Sequence, residues 1–339
     1  MKLVSYLDLP VDTESPKVKL GALLGEDCVV DLAVAQTWAQ GARGFRARQL
    51  PDRVVDLIHY WEEMVPHLNA LLDVLPGNEC MQLKGTGRQP VARPRQDVLL
   101  IAPLPSALSL RDFSGSFNHA SAVAQHHHRT LPEEWCDAPT FAYGNPYTIF
   151  GPDQVVALPW RDAALDYEFG VACVIGKPGR NIPAAHALEH IAGLTIVNNW
   201  VARDAEALEA RLGVGPSRSK DFAVTLGPAL VTLDELADRL TGHEGERQYD
   251  LGMIARVNGQ VRSQSNLKNL TFTFGQMIAR ASEGITLYPG EVLGSGAVGG
   301  GSLLAQGASE PDDWLKPGDR VELEVEYMGV LRAQVVEAD

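Results

Sequence analysis

Asp166 and Glu168 are the acidic residues of an otherwise apolar segment, 165–176. Residues two apart in a strand share a face, so a strand would place both carboxylates and Gly170 side by side. Crowded carboxylates repel each other unless a cation or a basic side chain compensates their charge. The spacing is typical of a divalent-metal site with one ligand position left without a side chain. The alternative is an exposed strand face.

Two further segments bring polar side chains to the ends of apolar runs. In 198–204, an apolar run leads into Asn198, Asn199 and Arg203, as at a strand end where loops gather. Lys220 stands between turn residues and the apolar run that follows it. A lysine held against an apolar wall binds a carboxylate or has its pKa lowered, whereas the alternative is a solvated loop lysine.

Asp112 and His119 flank a loop of small residues, and His119 is a candidate general base. The histidine triplet at 126–128 is predicted to be an exposed loop. The glycines of 294–301 would let backbone N–H groups approach an anion. That segment matches neither a dinucleotide-binding fingerprint nor a P-loop, so it does not predict nucleotide binding.

The composition is that of a globular protein, with 339 residues, of which 45% are hydrophobic and 21% charged. A net charge of −14 disfavours nucleic-acid partners and favours a small-molecule ligand. The first residues do not resemble a signal peptide and no long apolar run follows, so we expect a cytoplasmic protein without a membrane partner. The four cysteines form no C-x-x-C pair and are expected to be reduced.

The hydrophobic pattern divides the chain into residues 1–95, a small β-rich N-terminal domain, and residues 96–339, a mostly β domain of short strands. The fold class is therefore predicted to be α+β, mostly β. Helical patterns cover 32–38, 54–75, 184–190 and 272–282, with a kink or break expected at Pro66, and 85–95 is expected to be a connector.

Taken in order, the segments 112–119, 165–176, 198–204, 220–228, 293–301 and 314–321 resemble the fumarylacetoacetate hydrolase family, from about residue 97 to the C-terminus. The resemblance implies a mixed β-roll domain and a homodimer. It also implies action on a 1,3-dicarbonyl or 2-oxo acid compound through bound magnesium or calcium.

The resemblance implies metal ligands at Asp112, Glu168 and Asn199, where Asn199 replaces the family's aspartate. The second glutamate of the family's D-x-E-x-E strand is replaced by Gly170. Because the affinity of a hard cation depends on the number of carboxylates, we predict a weak or absent magnesium or calcium site.

The same resemblance implies that His119 is the catalytic base and Lys220 the electrostatic stabiliser. It implies substrate binding by Tyr143, Arg203, Ser295 and Gly296. Ala297 replaces the threonine of the family's S-G-T turn, and Ala305 replaces the glutamate that orients the attacking water.

Three functions remain open. The first is C–C bond hydrolysis of a β-diketo or 2-oxo acid. The second is a metal-independent, non-hydrolytic reaction in the same pocket, by a tautomerase, decarboxylase, dehydratase or cyclase. The third is a non-catalytic homologue.

Overall fold

The apolar segments form strands that pair into one large sheet, one five-stranded sheet and two two-stranded sheets in the computed structural model, which describes residues 1–46 and 48–338. Asp339, at the end of the predicted second domain, lies outside this range. The strands are β1 Lys2–Asp8, β2 Lys19–Leu24, β3 Cys28–Asp31, β4 Ala92–Pro94, β5 Val98–Ile101, β6 Leu110–Phe113, β7 Phe141–Gly144, β8 Ile149–Phe150, β9 Gln154–Ala157, β10 Leu165–Ile175, β11 Gly179–Arg180, β12 Ile191–Ala202, β13 Val224–Val231, β14 Leu240–Thr241, β15 Gln248–Tyr249, β16 Gly252–Val257, β17 Gln260–Asn266, β18 Thr286–Leu287, β19 Val292–Gly294, β20 Arg320–Val325 and β21 Gly329–Val336. The α-helices are α1 Leu32–Arg43, α2 Val54–His59, α3 Trp61–Asp73, α4 Phe117–His126, α5 Arg203–Leu212 and α6 Phe274–Ala281.

The large sheet has twelve strands, with the order β4-β3-β2-β1-β13-β12-β10-β19-β6-β7, while β5 pairs with β1 and β8 with β13. The second sheet has the order β17-β16-β20-β21-β9, and the two-stranded sheets are β11-β18 and β14-β15. Every residue of β10 and β12 is buried, because their two faces pack into two different hydrophobic clusters. Burial on both faces explains why these strands read as continuous apolar runs. The predicted α+β, mostly β class is confirmed.

The N-terminal strands belong to the same sheet as the central strands. β1 pairs antiparallel with β13, with Lys2 opposite Val231, and also with β5. The division of the chain at residues 95 and 96 therefore stays a prediction. Within the expected connector, β4 pairs with β3 and lies at the edge of the large sheet.

The helical segment 54–75 is divided at Tyr60, so the break expected at Pro66 is wrong. Tyr60 has φ −112° and ψ 30°, outside the helical region, and separates α2 from α3. Pro66 lies inside α3. The predicted helix at 184–190 is a 3₁₀-helix, and the one at 272–282 is α6, which begins at a capping box of Thr273 and Gln276.

Two helices next to the site were not predicted. The segment between Asp112 and His119 is not simply a loop, because Ser116 caps α4 and its side chain accepts a hydrogen bond from the His119 N–H. His119 is therefore on the first turn of α4, and His126 is its last residue rather than part of a loop. α5 begins at Arg203, directly after β12.

Candidate active site

Glu168 and Asn199 lie opposite each other in the antiparallel pair of β10 and β12. The backbone N–H of Glu168 donates to Oδ1 of Asn198, at 3.1 Å. Glu168 and Asn199 both line a cavity of about 590 Å³. The register of two buried strands therefore places a carboxylate and an amide together in one cavity wall.

Three basic side chains surround the Glu168 carboxylate. Lys220 Nζ lies 2.5 Å from Oε2, while Arg203 Nη1 lies 3.0 Å and His119 Nε2 3.4 Å from Oε1. Burial by itself raises the pKa of Glu168, but the Lys220 ammonium and the Arg203 guanidinium hold it well below its usual range. Glu168 is therefore ionised in the folded protein.

The Lys220 ammonium is held between carboxylates. Burial by itself lowers the pKa of Lys220, but the charges of Glu168 and Asp112 raise it above its ordinary value. Of the two roles predicted for Lys220, the structure therefore supports binding of a carboxylate and not a lowered pKa. The solvated-loop alternative is wrong because the Lys220 side chain is only 16% exposed.

Asp112 projects from β6 into the same cavity. Its Oδ2 accepts a hydrogen bond from Asn199 Nδ2 at 2.9 Å, and its Oδ1 accepts one from the Gly296 N–H at 3.2 Å. Burial raises the pKa of Asp112 above its usual value, although the Lys220 ammonium opposes this.

His119 faces this cluster from α4. Because Glu168 is ionised, a neutral His119 carries its proton on Nε2, toward the carboxylate, and has its lone pair on Nδ1. Nδ1 is buried and has no hydrogen-bond partner among residues 1–46 and 48–338. Ala305, at the position of the family's water-orienting glutamate, does not line the cavity.

Asp166 does not share the role expected for it beside Glu168. Its carboxylate lies 2.7 Å from Arg203 Nη2 and accepts hydrogen bonds from the N–H groups of Leu303 and Leu304. Arg203 supplies the positive charge that the neighbouring carboxylates of Asp166 and Glu168 need. Through its bonds to Arg203 and to the 303–304 backbone, Asp166 holds the start of α5 and the 303–304 segment against β10.

Gly170 does not leave space for a ligand or a water molecule, as its lack of a side chain had suggested. A Cβ atom at this position would lie 2.4 Å from the Gly296 carbonyl oxygen and 2.9 Å from Ser295 Oγ. The glycine-rich loop that follows β19 fills the space. An acidic side chain would displace this loop.

The donor set does not fit the divalent cation that the resemblance implies. In the described part of the chain, no group of three or more His, Cys, Asp or Glu side chains is arranged to hold a metal ion. Glu168 already pairs with basic side chains, and Asn199 presents its amide nitrogen to Asp112. Asn199 Oδ1 is buried without a partner in the described ranges. Magnesium is usually bound through one or two carboxylates together with water and substrate oxygens, and here both candidate carboxylates are engaged, Glu168 by Lys220 and Asp112 by Asn199 and Gly296.

The predicted substrate-binding residues occupy different positions. Tyr143 lines the cavity and is 67% exposed, and Gly296 also lines it. Arg203 and Ser295 do not line it. The Ser295 hydroxyl donates to the Gly296 carbonyl and accepts from the Val171 N–H, so it holds the glycine-rich loop on β10.

The sequence reasoning missed the far wall of the cavity, formed by α4, α5 and 129–135. Val123, Ala124 and His127 line it from the end of α4. A helical period starting from His119 places them on one face, but a loop was predicted only for 113–118 and 126–128, and 120–125 had no prediction. Glu206 and Glu209 line the same wall from α5.

The family model for the C-terminal domain of fumarylacetoacetate (FAA) hydrolase matches residues 110–336. Human mitochondrial oxaloacetate tautomerase FAHD2B is 37% identical over 191 residues, which cover 56% of this chain and 56% of the relative, so the match spans only about half of that protein.

Two solved structures cover the whole chain and are themselves wholly covered. A probable 2-hydroxyhepta-2,4-diene-1,7-dioate isomerase from Mycobacterium abscessus has a TM-score of 0.67 at 23% identity. The maleylpyruvate hydrolase of Sphingobium sp. SYK-6, in complex with manganese(II) ion and pyruvate, has a TM-score of 0.67 at 20% identity. At these identities the two structures show the fold alone.

The chain has an α+β fold with a buried, charged cavity. The chain belongs to the fumarylacetoacetate hydrolase family, as the resemblance had predicted. No helix in the described part of the chain is long and apolar enough to cross a membrane.

Proposed function

We propose that this enzyme interconverts the keto and enol forms of a small 2-oxo acid without a divalent cation. The observation that carries the proposal is the position of the Lys220 ammonium, 2.5 Å from Glu168 Oε2, in a cavity that also presents His119. A fixed cation beside a candidate base is the arrangement that enolate chemistry requires.

In the proposed reaction, the imidazole of His119 removes a proton from C3 of the substrate. The C–H electron pair forms the C2–C3 double bond, and the carbonyl π pair moves to O2. Lys220 stabilises the negative charge on O2, which then takes up the proton held by the His119 imidazolium, so that the enol forms and the neutral base is restored. Glu168 accepts from Nε2 and stabilises the imidazolium formed in the first step.

Hydrolysis is the second candidate because the family takes its name from it. It needs a water molecule held in place for attack beside the base. The resemblance implies a glutamate for this task where Ala305 stands, and Ala305 does not line the cavity. Tautomerisation needs no water, and the similarity to an oxaloacetate tautomerase supports it.

We propose a metal-independent reaction because the ammonium of Lys220 and the guanidinium of Arg203 already neutralise Glu168. His119 and Lys220 as catalytic residues, and Tyr143 and Gly296 as substrate-binding residues, are part of the same proposal. The homodimer and the cytoplasmic location stay predictions.

The test follows ketonisation of enol-oxaloacetate by its ultraviolet absorbance, in EDTA and in magnesium. NMR identifies the products, since hydrolysis of an acylpyruvate gives two acids whereas tautomerisation keeps the carbon skeleton intact. We expect the protein to accelerate ketonisation over the uncatalysed rate in EDTA. Magnesium should give no further increase in that rate, and no cleavage products should form. Cleavage of acylpyruvates that depends on magnesium would contradict the proposal.

A further inference from the structure

The cavity is larger than a four-carbon oxo acid requires. Its volume of about 590 Å³ lies within the range of about 300–1,000 Å³ that is usual for drug-sized ligands. Asp112, Lys220 and Glu168 occupy one wall. The cavity is also lined by apolar side chains from other elements, a set called the distal lobe below: Val123, Ala124, Leu131, Trp135, Phe141 and Val214.

The aromatic part of the distal lobe is held in place by its neighbours. Trp135 Nε1 donates to Ser114 Oγ at 3.3 Å, and the Trp135 ring centroid lies 5.2 Å from that of Phe272. The Phe141 ring centroid lies 5.0 Å from that of Phe113. Rings fixed in this way offer an apolar surface that needs little ordering when a ligand binds.

The acidic side chains that line the lobe are already engaged. Glu209 accepts hydrogen bonds from the hydroxyl and N–H groups of Ser217 and Ser219. Glu206 Oε2 lies 2.8 Å from Arg203 Nη1, and His127 Nε2 lies 3.7 Å from the same oxygen. Arg129 also lines the cavity, and its Nη2 donates to the Ala210 carbonyl oxygen. With these charged groups engaged, the apolar wall is the part of the lobe that a ligand group can still satisfy.

Small side chains keep the lobe open. Ala120 and Ala124 are four residues apart on α4 and therefore lie on one helix face. Ala142 on β7 and Ala210 on α5 also line the cavity. A larger side chain at any of these positions would reduce the space.

We propose that the distal lobe receives an aryl-sized apolar group attached to a 2-oxo acid, whose oxo-acid end lies at Lys220. This substrate class rests on the proposed function. Burial of an aromatic group in a preformed apolar site gives about a tenfold to hundredfold gain in affinity.

The test measures binding of oxamate and N-phenyloxamate by isothermal titration calorimetry in EDTA. Both are non-reacting 2-oxo acid analogues, and only the second carries an aryl group. In the variant Ala124→Trp, the larger tryptophan side chain fills the distal lobe. The matched control is Gln125→Trp, because Gln125 is exposed on the same helix and does not line the cavity.

We expect N-phenyloxamate to bind the wild type at least tenfold more tightly than oxamate. Ala124→Trp should abolish this difference while leaving the affinity for oxamate unchanged. Gln125→Trp should keep the difference. Equal affinities in the wild type, or a gain that survives Ala124→Trp, would overturn the aryl assignment. If Ala124→Trp also loses oxamate, Ala210→Leu serves as the filling variant. If the wild type binds neither compound, the proposed function itself is wrong.

Discussion

The Lys220 ammonium and the Glu168 carboxylate form a direct pair, with Nζ 2.5 Å from Oε2, beside Asp112 and His119. The pair joins the segment that precedes β13 to the middle of β10. A fixed positive charge therefore lies beside Glu168 and Asp112, two of the residues that the resemblance implies as metal ligands.

Replacement of Lys220 by Met removes this charge and leaves a side chain of similar length. We expect kcat/KM for enol ketonisation to fall about 10²–10³-fold, the usual loss when one preorganised electrostatic group is removed. The matched control is Lys268→Met, because Lys268 is exposed and pairs with Asp250 away from the cavity. Less than a tenfold loss in Lys220→Met would exclude the lysine as the enolate stabiliser.

His119→Gln keeps a polar side chain but removes the proposed base. We expect kcat to fall about 10²–10⁴-fold with partial rescue by added imidazole, because general base catalysis contributes that much. His186→Gln is the control, since His186 is an exposed residue that pairs with Glu189. Full activity of His119→Gln would assign the proton transfer to another group.

Asn199→Asp tests the charge balance next to Asp112. The substitution replaces the amide that donates to Asp112 Oδ2 by a second carboxylate. We expect a lower melting temperature in EDTA that manganese or magnesium restores, because a ligand that binds only the folded state stabilises it. The wild type is the control and is expected to show no shift. A large metal-dependent shift in the wild type would contradict the metal-independent site.

Gly170→Ala tests whether the space at this position is filled. The new Cβ would lie 2.4 Å from the Gly296 carbonyl oxygen, so we expect a loss of about 1–3 kcal/mol in the free energy of unfolding. Gly41→Ala is the control, because Gly41 lies in α1 and a Cβ added there would have no atom within 4 Å. The free energy of unfolding of Gly41→Ala is expected to rise by about 0.5–1 kcal/mol. Equal stabilities of the two variants in denaturant titrations would show that the loop does not restrict Gly170.

Glu206→Gln tests the acid sensitivity of the Arg203 network. Burial opposes ionisation of Glu206, but Arg203 lowers its pKa to about 2. Because the folded-state pKa lies below the ordinary value of 4.5, ionised Glu206 stabilises the fold above pH 4.5, and this contribution is lost as the pH falls toward 2.

The contribution is on the order of 3 kcal/mol. The slope of unfolding free energy against pH between 4.5 and 2 is therefore expected to be shallower in Glu206→Gln than in the wild type. Glu283→Gln, on the exposed Arg280–Glu283 pair, is the control and should keep the wild-type slope. Parallel pH profiles for wild type and Glu206→Gln would contradict the assignment.

The hydrophobic pattern of the sequence was sufficient to predict the central strands of the large sheet. The apolar segment 165–176 and the apolar run that leads into Asn198 predicted β10 and β12, because strands buried on both faces carry apolar residues at almost every position. Pattern was insufficient around α4, whose small and polar residues resemble a loop until Ser116 is recognised as an N-cap.

The sequence by itself determined the family, the fold class and the residue types at the site, because these depend on local pattern and ordered motifs. Only the tertiary structure decided which groups meet. Lys220 lies 52 residues from Glu168, and the loop at 295–296 that closes the space at Gly170 lies more than a hundred residues further along the chain. Such contacts depend on strand register and packing across the fold, which no local spacing encodes.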